Sequence, residues 1–165
     1  MRSRHALIAA LSLLALVPAS ATAAKLESFE LPSRFVDSAS PGGQLPDGRT
    51  VPKVNVLLPD GYRASLKRGY PVVWLLHGAF EGADRWLGNI RELAAGMRAI
   101  LVMPDGGRFG MYANWWNGGV RRDPAWASYH LKTLRRVIER RYPIRSDRRL
   151  AAFRRYTTFA RSTAA

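Results

Sequence analysis

Two uninterrupted apolar runs constrain this chain more than any other feature. They are Pro71-Val-Val-Trp-Leu-Leu76 and Ala99-Ile-Leu-Val-Met103. Runs of this length with no polar alternation suit strands covered on both faces, the kind found in parallel sheets. Each is closed by a glycine-containing polar segment: His77-Gly78 after the first, Pro104-Asp105-Gly106-Gly107 after the second. Between them, Trp86, Leu87, Ile90, Leu93, Ala94 and Met97 recur at spacings of three and four, which predicts one helix over residues 84–97.

The flanking segments extend the pattern. Leu26, Phe29, Leu31, Phe35 and Val36 suit an edge strand, and Val51–Leu58 reads as a strand with Val54, Val56 and Leu58 on its better-buried face. A long helix is predicted after residue 123, with Asp123 as N-cap and Pro124 at the first helical position. Leu131, Leu134, Val137, Ile138 and Tyr142 share one face of it, and Lys132, Arg135, Arg136, Glu139 and Arg140 lie mostly on the other. Pro143 ends it, and Arg148-Arg149-Leu150-Ala151 is the start of a further strand. Strands alternating with helices predict an α/β fold, a mostly parallel sheet flanked by helices.

Residues 1–24 stand apart from this pattern. Arg2 and Arg4 precede an apolar run from Ala6 to Val17, Pro18 breaks it, and Ala21-Thr22-Ala23 offers small residues at a cleavage site. This reads as a signal peptide cut after Ala23 or Ala24, which places the product outside the cytoplasm, secreted or in a bacterial cell envelope. An uncleaved membrane anchor is the alternative, although the run is short for a bilayer. No second apolar run of membrane length follows, so no stable span is expected after cleavage.

The formal net charge is +14; residues 1–24 contribute two of these charges and no acids, leaving +12. Such an excess favours anionic partners. However, the arginines are scattered, and no zinc-finger, aromatic-basic or heptad-plus-basic pattern accompanies them, so nucleic acid is not an expected partner. The chain has no cysteine, which excludes a cysteine nucleophile, thiolate metal ligation and disulfides. His77 and His130 lack a carboxylate or second histidine at ligand spacing, so no metal is expected. Gly106, Gly107 and Gly110 do not form G-x-G-x-x-G and open no helix, so no dinucleotide cofactor is expected.

In open parallel sheets, ligands bind beyond the carboxyl ends of the strands. The segments placed there carry a resemblance. Val54-Asn-Val-Leu-Leu-Pro59, Pro71-Val-Val-Trp-Leu-Leu-His-Gly78, Val102-Met-Pro-Asp-Gly106 and Tyr112-Ala-Asn-Trp115 occur in this order. Together they resemble the esterase-type α/β-hydrolases, a family that includes S-formylglutathione hydrolases, short-chain acyl esterases, feruloyl esterases and secreted mycolyltransferases. The likeness runs from about Val51 to Leu150. It implies an acyl-ester substrate in intact relatives. It also implies that the loop after the His-Gly strand gives one backbone N–H to an oxyanion hole. By position that donor is Ala79, with Phe80 the next candidate, while His77 and Gly78 support the loop and Gly78 permits a sharp turn. The alternative is that His77-Gly78 is only a strand-to-loop turn. Asn114, Trp115 and Trp116 either border the acyl site or pack in the core.

The same resemblance implies a nucleophile elbow, G-x-S-x-G, followed by an acid and a histidine. No serine has glycine two residues before and two after it, and no aspartate, glutamate or histidine follows Leu150. His77 precedes any possible nucleophile and is read as a packing residue rather than a base. The sequence therefore divides into a signal peptide (1–24), a partial α/β-hydrolase domain (25–150) and an aberrant arginine-rich, disordered tail (151–165). This reads as the N-terminal half of the fold, incomplete and truncated, by a frameshift near codon 151 or at a gene boundary. The expected product is a catalytically inactive fragment of a secreted serine ester hydrolase or acyltransferase, with no catalytic residue of its own. A non-catalytic basic module that binds acidic cell-envelope polymers is the second reading.

Overall fold

A computed structural model of the chain describes residues 23–109, 111–116, 118–119 and 122–153, with only the backbone for Leu93 and residues 146–153. Five strands form one sheet: β1 (Lys25–Glu30), β2 (Lys53–Leu58), β3 (Tyr70–Leu76), β4 (Ile100–Pro104) and β5 (Ile144–Phe153). Their spatial order is β1-β2-β4-β3-β5. The two apolar runs lie side by side and parallel, Val72 opposite Ile100 and Trp74 opposite Val102. β5 also runs parallel to β3, but β1–β2 and β2–β4 are antiparallel, so the sheet is mixed, with its parallel part at β4-β3-β5.

The sheet is covered on both faces because successive side chains point to opposite sides. Val54, Val56, Leu58, Val72, Ile100 and Val102 face one cluster, completed by Trp126, Tyr129, Leu134, Ile138 and Tyr142. Leu57, Leu75, Leu101 and Met103 face the other, under Ile90, Trp86 and Leu87. β2 was expected to have one better-buried face; residues 54–58 are all buried, because β2 has a paired strand on each side and a layer on each face. Its one polar side chain, Asn55, is satisfied there. Its Nδ2 donates to the Ala83 carbonyl (3.0 Å) and to Asp84 (2.7 Å), and its Oδ1 accepts from Ser28 Oγ (2.6 Å).

Four further expectations are corrected. The single helix over 84–97 is two short pieces, a 3-10 turn at Ala83–Trp86 and α1 (Ile90–Ala94). Gly88-Asn89, both weak helix formers, lies between them. Met97 is then left 40% exposed. The edge strand stops at Glu30, and Phe35 and Val36 pack on the core from the turn that follows.

The long helix starts at Trp126, not at Pro124, with Ala125 as the N-cap residue and no side-chain cap. Tertiary hydrogen bonds take the preceding backbone: the Trp115 N–H donates to the Pro124 carbonyl and the Ala125 N–H to the Phe35 carbonyl. The helix comprises α2 (Trp126–Ser128), a π-helical stretch (Tyr129–Leu134) and α3 (Arg135–Arg141). The π stretch shifts the register, so Leu131 is 64% exposed while Tyr129 is buried in its place. Pro143 ends the helix as predicted, with Tyr142 already extended (φ −129°, ψ 146°).

β5, expected as a strand start at Arg148–Ala151, runs from Ile144 to Phe153. Residues 154–165, the rest of the predicted tail, and residues 1–22 of the predicted signal peptide lie outside the described residues.

Candidate functional site

The carboxyl end of β3 leads directly into the loop under consideration, and the end of β5 comes level with it, Phe153 opposite Leu76. The backbone amides of the loop differ in what they bond. The Gly78 N–H donates to Glu81 Oε2 (2.9 Å), and Glu81 is also paired with Arg85. The Phe80 N–H donates to the Arg108 carbonyl (2.5 Å). The Ala79 N–H has no acceptor among the described residues.

Of the two donors named from sequence, then, the structure commits the Phe80 amide to the protein and leaves the Ala79 amide open. The sharp turn also falls elsewhere than expected. Phe80, not Gly78, has positive φ (+61°), and it is the one non-glycine with positive φ among the described residues. A left-handed conformation costs a non-glycine residue about 1–2 kcal/mol, and the bond from the Phe80 amide to Arg108 holds it there. Such strain is found where surrounding contacts over-determine a loop.

His77 is buried and supports this loop from below. Its Nε2 accepts the Gly106 N–H (2.8 Å), so the remaining proton is on Nδ1, which donates to the Gly78 carbonyl (2.7 Å). The ring thereby ties the end of β3 to the end of β4. The Tyr112 hydroxyl closes the same corner, accepting the His77 N–H (2.8 Å) and donating to the His77 carbonyl (3.2 Å). Gly106 is required here, since a Cβ would come within 2.3 Å of the Tyr112 ring.

Asp105 carries the other support, and sequence reasoning gave it no role. Its side chain is fully buried. One carboxylate oxygen accepts the Ala83 N–H (2.7 Å); the other accepts the Lys53 N–H (2.7 Å) and lies 3.0 Å from Arg49 Nη1. The only sequence hint was an aspartate at the end of an apolar strand.

Asn114, Trp115 and Trp116 part company. Asn114 holds the helix start, its Oδ1 accepting the Ser128 N–H and its Nδ2 donating to the Ser128 hydroxyl (both 3.0 Å). Trp115 packs on Gly42, where a Cβ would be 1.8 Å from its ring, and edge-on to Phe109. Trp116 is 75% exposed. Phe80 and Phe109 meet edge to face at 6.0 Å, so an aromatic row of Phe80, Phe109 and Trp115 runs beside the loop. A polar cavity of about 430 Å³ lies on the other side of Arg108, lined also by Gln44, Arg49 and Thr50. Among the described residues no group of three or more metal-ligating side chains is placed to hold a metal ion, and no helix is long and apolar enough to cross a membrane.

His130 sits on the π-helical stretch, between the Trp126 carbonyl (2.6 Å from Nδ1) and the Asp105 carbonyl (2.8 Å from Nε2). Burial holds its pKa down to about 4, against the pull of both carbonyls, and burial lowers that of His77 as well. In each case the unfolded chain takes up a proton near pH 6.5 and the folded chain does not. Stability is therefore full above about pH 6.5 and declines as the pH falls towards 4, by at most about 3 kcal/mol for His130. For Asp84, burial raises the pKa, but bonds from Lys53 and Asn55 outweigh it, so its contribution is lost only below about pH 4. Urea unfolding at pH 7, 6 and 5 checks this; a flat profile, or one unchanged in His130→Gln, contradicts it.

A sheet whose parallel part is β4-β3-β5, with a glycine-containing loop at its carboxyl edge, matches part of an α/β-hydrolase fold. Comparison with known proteins carries this to a family. The Esterase family model matches residues 49–152, more than half of the chain. The chain belongs to this esterase family. It is 43% identical over 111 residues to an esterase of Mycobacterium tuberculosis, a match covering 62% of this chain and 23% of that protein. The fold is shared with S-formylglutathione hydrolase from Agrobacterium tumefaciens (TM-score 0.61, 17% identity, 81% of this chain, 50% of that one). It is shared also with a ferulic acid esterase from the anaerobic fungus Anaeromyces mucronatus (TM-score 0.53, 19% identity, 82% and 51%). The chain thus spans about half the length of these solved structures and 23% of the mycobacterial esterase.

Proposed function

We propose that this chain builds the oxyanion-binding side of a secreted serine carboxylic-ester hydrolase or acyltransferase, with the Ala79 N–H as donor. The single observation that carries the reading is that open amide, on a loop whose neighbouring amides are already bonded, at the carboxyl end of a parallel strand. An oxyanion hole needs a fixed donor about 3 Å from the developing negative oxygen. His77, Tyr112 and Glu81 supply the fixing. The aromatic row beside it suits an apolar acyl group.

Acyl transfer also needs an activated nucleophile, which attacks the carbonyl and is then relieved of the acyl group by water or another alcohol. No serine in these 165 residues stands in a nucleophile elbow. The polypeptide by itself is therefore proposed to be inactive. Export is supported by the charged, apolar and small-residue zones of residues 1–24 and by β1 starting at Lys25, directly after them.

Two measurements test this. Amide hydrogen exchange is expected to be fast at Ala79 and slow at Gly78 and Phe80; a protected Ala79 amide removes the donor. The purified chain is expected to hydrolyse a short-chain nitrophenyl ester no faster than buffer and to resist labelling by a fluorophosphonate. Protein-dependent turnover with labelling would overturn the inactive reading while leaving the donor assignment standing.

A further inference from the structure

Away from the loop, the far side of the long helix carries a concave site with no assigned role. It is a cavity of about 490 Å³ lined by Pro32, Ser33, Arg34, Phe35, Lys132, Thr133 and Arg136. Three cations and two hydroxyls face it, with no acidic side chain in the lining. None of Arg34, Lys132 and Arg136 is paired with a carboxylate among the described residues, although the neighbouring Arg135 is paired with Glu139. Like charges brought together without a counter-ion repel one another, so the grouping favours an anion.

The walls are held before any ligand arrives. The Phe35 carbonyl accepts the Ala125 N–H (2.9 Å), the Arg34 carbonyl accepts Arg122 Nη1 (2.6 Å), and the Phe35 N–H donates to Ser33 Oγ (3.2 Å). Arg34 and Lys132 both rest against the Phe35 ring, at 5.2 and 5.8 Å from its centroid. Lys132 and Thr133 come from the π-helical stretch, Tyr129–Leu134. Such π insertions are frequent at functional sites.

We propose that this cavity binds a phosphate group carried on a larger molecule. A phosphate monoester brings close to two negative charges and three acceptor oxygens. That matches two arginine forks, one ammonium and the one hydroxyl hydrogen left by the Ser33–Thr133 pair (3.5 Å) better than a single carboxylate does. The volume exceeds that of one phosphate ion and leaves room for the group that bears it.

The test uses the full chain and radiolabelled inorganic pyrophosphate in equilibrium dialysis. The expected result is saturation at one ligand per chain. Arg34→Ala/Arg136→Ala should weaken binding roughly tenfold or more, and the exposed pair Arg91→Gln/Arg98→Gln should leave it unchanged. Lys132→Gln, a single surface change, provides the same test if the double variant fails to fold, as judged by its melting. Binding that never saturates, or that falls equally in the Arg91/Arg98 variant, overturns the site in favour of diffuse positive charge. Competition then identifies the bearer. Polyphosphate displacing pyrophosphate more strongly per phosphate points to a phosphate polymer, and equal displacement points to a small phosphorylated molecule. Displacement by polyglutamate as strong as by polyphosphate overturns the phosphate class.

Discussion

Asp105→Ala is expected to lower the unfolding free energy by about 2–5 kcal/mol, the cost of leaving two amide donors without an acceptor at about 1–3 kcal/mol each. The carboxylate serves three groups from three parts of the chain: the Lys53 N–H at the start of β2, the Ala83 N–H above it and the Arg49 guanidinium. Its removal leaves the Ala83 and Lys53 amides without that acceptor and leaves Arg49 with Asp47 as its counter-charge. Asp105→Asn is expected to rescue little, because one of its two oxygens becomes an N–H donor facing donors. Denaturant unfolding of the three proteins checks the ordering, and an alanine variant within 1 kcal/mol of the parent would refute it. The same variant should speed exchange of the Ala83 amide before that of the β3–β4 core. The carboxylate ties the ends of the interior strands β2 and β4 to the turn at Ala83.

The second large effect is expected at Trp126. Trp126→Ala should cost about 3–5 kcal/mol for the lost burial and the cavity left behind. The ring is fully buried, meets Tyr129 edge to face at 5.7 Å, and donates from Nε1 to the Gly42 carbonyl (2.8 Å). Gly42 has φ +77° and touches Trp115, so losing that bond also frees the turn on which Trp115 rests. Trp126→Phe keeps most of the volume but strands the Gly42 carbonyl, and is expected to cost about 1–3 kcal/mol. Thermal melts of both variants, read by near-ultraviolet circular dichroism, check the pair. Equal losses in Phe and Ala would show that the hydrogen bond, not the packing, dominates.

Part of the fold was legible because its signals are local. Val72–Leu76 and Ile100–Met103 are too apolar and too evenly so to be anything but interior strands, and Gly78 and Gly106 mark their ends. Period-two alternation then assigns Val54, Val56 and Leu58 to one layer, though only the sheet order shows that Leu57 has a second layer to face. The helix after residue 123 was legible in extent but not in register. A π turn at Tyr129–Leu134 leaves no mark in a pattern of spacings, and it exchanged Leu131 for Tyr129 at the core.

The candidate site divides along the same line. The order of the segments and the resemblance singled out Ala79 and Phe80, but they did not choose between them. That choice rests on the Arg108 carbonyl, 28 residues away in sequence, which takes the Phe80 amide and holds that residue at φ +61°. Asp105 and Tyr112 looked like ordinary residues of a strand end and a loop. Their weight comes from partners 52 and 35 residues distant.

The sequence by itself determined the layered α/β plan and that these 165 residues hold no G-x-S-x-G serine, since apolar runs, turns and residue spacings are properties of the string. The tertiary structure alone decided which loop amide is left open among the described residues, which carboxylate carries the corner, and where Arg34, Lys132 and Arg136 gather. Each of these depends on hydrogen-bond accounting across the sheet, and a buried donor's partner is set by what packs against it, not by what precedes it in the chain.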